Sequence, residues 1–323
     1  MKILITGGAG FIGSNLIAYH LQKQDEVIAV DDLSTGNINN IEAFKAHPKF
    51  KFYHENLLTW SGLGKLLNQV DRVYHLAAMV GLFRVLSDPL QTLKTNINIT
   101  FRVLDIIHQQ SNKPLVVIAS SSEVYGNQHG ALRETNHLII EDTLKGHAAY
   151  SVSKLCDESI AYSYYQQHGI PYIILRLFNT IGINQSGQYG MVVPRFIKQA
   201  VHGQEITVYG DGQQKRSFCD VKDMVRLMDE IASVPKAVGE IFNAGNSQSI
   251  SIIKLAKLIK SLSGSDSKIR LIPFKEVYSD NYIQIQERKP ELSKILCYIK
   301  FQFEWKLVNT LEELIIHEQN KKH

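Results

Sequence analysis

The chain is poor in the features of a secreted scaffold, a membrane span or a nucleic-acid binder. Only 3 of its 323 residues are cysteine (Cys156, Cys219 and Cys297), odd in number, widely spaced and without a metal-ligand pattern. That excludes a disulfide framework and a structural zinc site, and reduced thiols in a cytoplasmic protein are expected. Proline occurs 8 times and tryptophan twice, and no Pro-rich linker, low-complexity tract or internal repeat is present. No apolar run is long enough to cross a bilayer, so no membrane partner is expected. Because the first expected strand begins at Lys2, no signal peptide is expected either. Lys and Arg number 35 against 31 Asp and Glu, a net charge of +4 with no long basic run. This balance suits a small anionic ligand and argues against nucleic acid.

What is present is a hydrophobic fraction of 44%, enough core for one large α/β domain or two closely packed ones. Strands are expected at Ile3–Thr6, Glu26–Val30, Phe50–His54, Arg72–His75, Leu115–Ser120 and Ile170–Leu175. Runs such as LVVIA are apolar throughout, as in a parallel sheet covered on both faces. Helical patterns lie between them, clearest at Leu90–Gln110 and Tyr150–His168. The alternation predicts a doubly wound parallel sheet of the Rossmann type, with ligands beyond the carboxyl ends of its strands. After Arg176 the composition shifts to Gly, Asn and Gln, then to short strands mixed with helices. The expected division is a nucleotide-binding Rossmann domain (1–175 plus 217–249) and a smaller C-terminal substrate lobe (176–216 plus 250–323). Helix Val221–Ala232 and strand Glu240–Ala244 return to the first of these.

The segment KILITGGAGFIGS carries the strongest local signal. A short apolar strand ends in Gly7, Gly10 and Gly13, and a helix comes next. One glycine permits the tight turn, one lets the backbone approach a pyrophosphate, and one lets helix and strand pack closely. The new helix presents its free N–H groups to the anion. Asp31 stands at the end of the second strand, where a carboxylate accepts both ribose hydroxyls and repels a 2′-phosphate. NAD is therefore expected rather than NADP.

At the end of the fifth strand, Ser120-Ser121-Ser122-Glu123 places three hydroxyls and a carboxylate on the ligand-binding edge. Such residues either cap backbone groups or do chemistry. The next helix bears Tyr150 and Lys154, four apart and so on one face. An ammonium beside a phenol favours the phenolate, which can take a proton from a sugar hydroxyl while hydride leaves the same carbon. Tyr19 and Lys23 repeat the spacing in the first helix, where a plain surface pair is expected.

TGGAGFIGS, VDDLSTG, HLAA, SSSEVYG, YSVSK, RLFNTIG, TVYGDG and KRSFCDV succeed one another between Met1 and about Glu313. In this the chain resembles the extended short-chain dehydrogenase/reductases that act on nucleotide sugars, a group of epimerases, dehydratases and decarboxylases. The resemblance implies that Phe11 and Ile12 offer N–H groups to the pyrophosphate. It implies Asp31, Leu33, Ser34, Thr35 and Gly36 around the adenosine ribose, and Leu76, Ala77 and Ala78 along the cofactor channel. Ser121 would be the catalytic hydroxyl, Tyr150 the base and Lys154 its partner. Asn179, Val192, Tyr209, Arg216 and Arg288 would hold the nucleotide diphosphate. One departure concerns the third strand, which usually ends in an aspartate for the adenine amine. Here it leads into Glu55-Asn56-Leu57, and the Asn56 oxygen is expected to accept instead, without charge. Helices Leu90–Gln110 and Tyr150–His168 would form a four-helix bundle in a homodimer, through Ile97, Phe101, Leu104, Ile160 and Tyr164.

Members of that family oxidise the sugar at C4 and differ in the fate of the resulting ketone. Glu123 argues against a simple epimerase, which needs no further acid or base, and Ser122 argues against the Asp-Glu dehydratases. The Ser122-Glu123 pair resembles the UDP-glucuronate decarboxylases, where glutamate and the arginine at the Arg216 position assist. The expected reaction is decarboxylation of a UDP-hexuronate, with 4-epimerisation or 4,6-dehydration of an NDP-sugar as alternatives. Arg84 and the serine hydroxyls would offset the charge between Glu123 and a carboxylate substrate. The cofactor assignment has a direct test. Asp31→Ala should weaken NAD binding and relax the preference over NADP, and an unchanged NAD to NADP affinity ratio by titration calorimetry would reject it.

Overall fold

A computed structural model describes residues 1–140, 142–144, 148–187, 190–277 and 285–321. Seven apolar runs become strands β1 (Lys2–Thr6), β2 (Glu26–Asp31), β3 (Phe50–His54), β4 (Arg72–His75), β5 (Leu115–Ser121), β6 (Tyr172–Leu177) and β7 (Ile241–Ala244). They form one sheet in the order β7-β6-β5-β4-β1-β2-β3, parallel throughout. The doubly wound sheet expected from the alternation is thus present, and its strand order reverses between β1 and β4. Ligands bind at such a reversal.

Helices α1 (Phe11–Gln22), α2 (Pro89–Gln109), α3 (Ala148–His168), α4 (Val192–Val201), α5 (Val221–Ala232), α6 (Ile252–Leu262) and α7 (Leu307–Asn320) complete the frame. α2 starts where Asp88 accepts from the Gln91 N–H and Pro89 occupies the first turn, both usual helix starters. α5 starts in the same manner on Asp220, which accepts from Lys222 N. α1 and α5 cover one face of the sheet, with Leu16, Ile17, Met224 and Leu227 buried there. α2 and α3 cover the other, with Ile99, Val103, Leu104 and Ile160 buried.

Two expectations shift on inspection. The sixth strand begins at Tyr172, not Ile170, because Pro171 has no N–H for the ladder and only its carbonyl takes part, accepting from Val116 N. The strand then runs on to Leu177, so Arg176 lies inside the sheet, opposite Ser120. Leu104 and Ile160, expected on an outer apolar face, are buried within the subunit core. Phe101 is exposed as expected, and Leu90 and Tyr162 are the other large exposed apolar groups on α2 and α3.

A second core lies among α4, α6 and α7, built from Val193, Phe196, Leu255, Ile259, Leu311 and Ile315. A small four-stranded sheet joins Ser249–Ser251, Lys215–Ser217, Glu287–Pro290 and Ala131–Leu132. Ala131–Leu132 therefore pairs with strands from the C-terminal half, while Leu292, Ile295, Ile299 and Phe301 pack into the core of the large sheet. Among the described residues no helix is long and apolar enough to cross a membrane. No group of three or more His, Cys, Asp or Glu side chains among them could hold a metal.

Buried charges tie the end of β5 to its neighbours. Arg176 donates from Nε and Nη2 to both oxygens of Glu158 on α3, at 2.9 and 2.7 Å. Glu158 also accepts from Ser120 Oγ at 2.5 Å. Arg176 Nη1 donates to the Tyr125 hydroxyl at 3.0 Å, and Tyr125 donates to Asn243 Oδ1 on β7 at 2.7 Å. Removing one member of such a pair strands the other charge away from water. Arg176→Leu should therefore cost about 3–5 kcal/mol in denaturant unfolding, whereas Glu158→Leu with Arg176→Leu should cost much less. A loss below about 1 kcal/mol for the single variant would show a pair no stronger than an exposed one.

Candidate active site

Gly7 turns the chain out of β1 with φ of 71°, and a Cβ there would lie 2.9 Å from the backbone nitrogen of Ala77. A Cβ on Gly13 would overlap the carbonyl oxygen of Gly7, so α1 seats against the strand only with hydrogen at that position. Gly10 caps α1 without any side-chain hydrogen bond, leaving the first N–H groups, those of Phe11 and Ile12 among them, for an anion. Asp31 ends β2 and accepts from Ala9 N at 3.0 Å and Leu33 N at 2.8 Å. Burial pushes its carboxyl above the usual range, and the two N–H donors oppose that shift. These two bonds leave lone pairs on both oxygens for ribose hydroxyls. The cradle fits a dinucleotide.

One cavity of about 670 Å³ opens at the carboxyl ends of β1, β2, β4, β5 and β6. Gly7, Gly10, Phe11, Ile12, Gly13, Asp31, Ser34, Thr35, Asn56 and Leu57 line one end, with Leu76, Ala77 and Ala78 along the wall. Leu33 and Gly36 support that end from behind. The side chain of Leu33 packs on the core, and Gly36 leaves room for the Asp31 carboxylate, which a Cβ would approach to 2.7 Å. Asn56 departs from the simple expectation: its Oδ1 already accepts from Leu58 N and its Nδ2 donates to Asp32. The remaining lone pair is what it has for an amine.

The other end of the cavity holds Ser121, Ser122, Glu123, Tyr150, Lys154, Asn179, Val192, Tyr209, Arg216 and Arg288. Ser121 has two partners here. Its Oγ caps the short helix Ser122–Tyr125 by accepting from Glu123 N, and its hydroxyl hydrogen-bonds the Tyr150 phenol. Burial raises the Tyr150 pKa, while Lys154 and the Ser121 bond pull it down. The second tyrosine–lysine pair lies far from this cavity, where Tyr19 and Lys23 both meet Asp229 on α5.

Glu123 forms an ion pair with Arg288, whose side chain is buried. Arg288 is among the residues lining the cavity, and its buried Nε and Nη2 have no partner among the described residues. Arg216 sits beside it, in register on the neighbouring parallel strand. Asn179 likewise presents a buried Nδ2 without a partner. Arg84 is elsewhere: its Nη1 donates to the Ser34 carbonyl at 2.8 Å, at the end that holds Asp31. The cation that meets Glu123 is Arg288.

Sequence reasoning missed Arg195, whose guanidinium lies 3.8 Å from the centre of the Tyr209 ring. Its place three residues after Val192, on the same helical face, was the available signal. It also missed Asp157, which accepts from Lys154 Nζ at 3.0 Å.

Known proteins resemble the chain over most of its length. UDP-glucuronic acid decarboxylase 1 of Xenopus tropicalis is 34% identical over 312 residues, spanning 97% of this chain and 70% of that protein. UDP-N-acetyl-alpha-D-glucosaminuronate decarboxylase of Bacillus cytotoxicus is 34% identical over 308 residues, 94% of either chain. Among solved structures, UDP-glucuronic acid 4-epimerase from Bacillus cereus, in complex with UDP-glucuronic acid and NAD, superposes with a TM-score of 0.89. It is 28% identical, with 99% of this chain and 100% of that one covered. Residues 3–245 match the NAD dependent epimerase/dehydratase family. The chain belongs to that family and is an enzyme that works with NAD.

Proposed function

We propose that the protein decarboxylates a UDP-linked hexuronate through a 4-keto sugar. The observation that carries this reading is Glu123, held by Arg288 in the cavity that contains the Ser121–Tyr150–Lys154 group. Simple epimerisation has no use for such a carboxylate. The similarity to two nucleotide-uronate decarboxylases supports the same reading.

The glycine corner and Asp31 would hold NAD, which would supply a hydride acceptor for C4 and the hydride for its later reduction. Tyr150 Oη takes the proton of the C4 hydroxyl, with Ser121 donating to the same oxygen and Lys154 favouring the phenolate. With C4 a ketone, the C6 carboxylate is β to a carbonyl. The C5–C6 bond breaks, carbon dioxide leaves, and the electron pair passes to C5 and the ketone oxygen as an enolate. Glu123 assists this stage and the return of a proton to C5, with Arg288 and Arg216 holding negative charge beside it. Arg216, Arg288 and Asn179 hold the diphosphate, and Tyr209, backed by Arg195, stacks on the base.

Incubation with UDP-glucuronate, UDP-glucose, their galacto isomers and GDP-mannose, with mass analysis of the products, tests the reaction. The expected product is lighter by carbon dioxide. An unchanged mass with an inverted C4 would establish 4-epimerisation, and loss of water dehydration. Tyr150→Phe should cost ~10²-fold or more in turnover, and Glu123→Gln should slow carbon dioxide release by ~10² while NAD affinity stays near wild type.

We further propose a homodimer in which α2 and α3 of both subunits form a four-helix bundle covering Leu90, Phe101 and Tyr162. Sedimentation at micromolar concentration should give twice the chain mass, and a monomer there would reject the bundle. The three unpaired cysteines fit a reducing, cytoplasmic setting.

A further inference from the structure

Behind Lys154 a buried chain of hydrogen bonds crosses from α3 to the wall of the cofactor cavity. Asp157 Oδ2 accepts from Lys154 Nζ at 3.0 Å, and Asp157 Oδ1 accepts from Thr100 Oγ1 at 2.7 Å. Thr100 Oγ1 lies 3.2 Å from His75 Nε2, and His75 Nδ1 lies 3.0 Å from Thr6 Oγ1. Thr6 Oγ1 in turn accepts the N–H groups of Leu76 and Ala77, each at 3.1 Å.

Proton counting fixes the direction of this chain. Each hydroxyl has one proton to donate, and a neutral imidazole has one donor and one acceptor. Burial, then Lys154, lower the His75 pKa to about 3, so its ring is neutral at working pH. Thr6, already accepting twice, donates to His75 Nδ1. His75 Nε2–H donates to Thr100, and Thr100 donates to the anionic Asp157, its shortest partner. Every polar atom on the path is satisfied, and the path ends on a carboxylate.

The charges facing Tyr150 and Lys154 come from several elements. Glu123, on the loop after β5, is paired with Arg288, and Glu158, on α3, is held by Arg176 through two bonds. His75 on β4 is neutral. Asp157 has Lys154 as its cation, with 6% of the lysine side chain and 1% of the aspartate side chain exposed.

We propose that Asp157 is a positioning residue: it holds Lys154 in place beside Tyr150, and its own charge tempers the pull of the Lys154 ammonium on the Tyr150 phenol. This rests on the reading of Tyr150 as the proton acceptor. Taking away the carboxylate removes a negative charge beside both members of the Tyr150–Lys154 pair. With Lys154 still an ammonium, the Tyr150 phenol then gives up its proton at lower pH.

The test uses the NAD-loaded full chain. Tyrosinate absorbance is titrated against pH in the wild type and in Asp157→Asn, with Tyr150→Phe counterparts subtracted to isolate the Tyr150 contribution. Asparagine keeps the size and the Thr100 bond but not the charge. The expected midpoint falls by about one pH unit, and the acid limb of kcat/KM moves the same way. Asp157→Ala, which buries no unpaired amide, carries the same expectation should the asparagine variant fail to fold. A midpoint that stays put or rises in a folded, NAD-binding variant would overturn the proposal, and so would failure of both variants to fold. Because the absorbance titration needs no sugar, it separates this proposal from the proposed reaction. A wild type inactive on every hexuronate, with the midpoint still shifted by Asp157→Asn, rejects the reaction alone.

Discussion

All seven strands of the large sheet run the same way, and both of its faces are apolar and covered by helices. The ligand cavity therefore opens where the strands stop, on the carboxyl edge. Gly7, Asp31, Leu76, Ser121 and Leu177 each stand at or just past the carboxyl end of a different strand. Chain segments more than a hundred residues apart meet there because parallel register leaves them no other edge. The single cavity that holds both the glycine corner and the Ser121–Tyr150–Lys154 group results from that constraint.

Collecting charge at one edge of an apolar sheet has an electrostatic consequence. Carboxylates and cations close to the core are stable only in pairs with their remaining atoms hydrogen-bonded. Glu158 with Arg176, Asp157 with Lys154 and Glu123 with Arg288 answer this requirement around one loop. The three pairs differ in what they leave over. Arg176 spends its remaining bonds on Tyr125 and the Glu134 carbonyl, inside the protein. Arg288 keeps two buried nitrogens without a partner among the described residues. Packing thus leaves one guanidinium saturated within the protein and another with bonding capacity unspent.

Much of the site was legible from local pattern. The glycine corner and Asp31 are a turn and a strand end, and the Tyr150–Lys154 pair is one helical turn, so short spacings reveal them. Other parts were not. Arg288 and Glu123 are 165 positions apart, and either could have met any opposite charge. Arg84 looked equally able to face Glu123 but is tied to Ser34. Leu104 and Ile160 read as an outer apolar face, because helical periodicity shows which residues share a face and not what that face packs against.

Local sequence settles the parallel α/β architecture, the glycine corner with Asp31 at the next strand end, and the tyrosine–lysine pair. Each of these depends on backbone geometry and on neighbours within a few residues. Tertiary structure alone decided which cation holds Glu123, which carboxylate holds Lys154, and which arginine backs Tyr209. Such partnerships depend on distances between elements, and burial makes those distances matter. An exposed charge finds water in any fold, whereas a buried one needs the partner that packing places beside it.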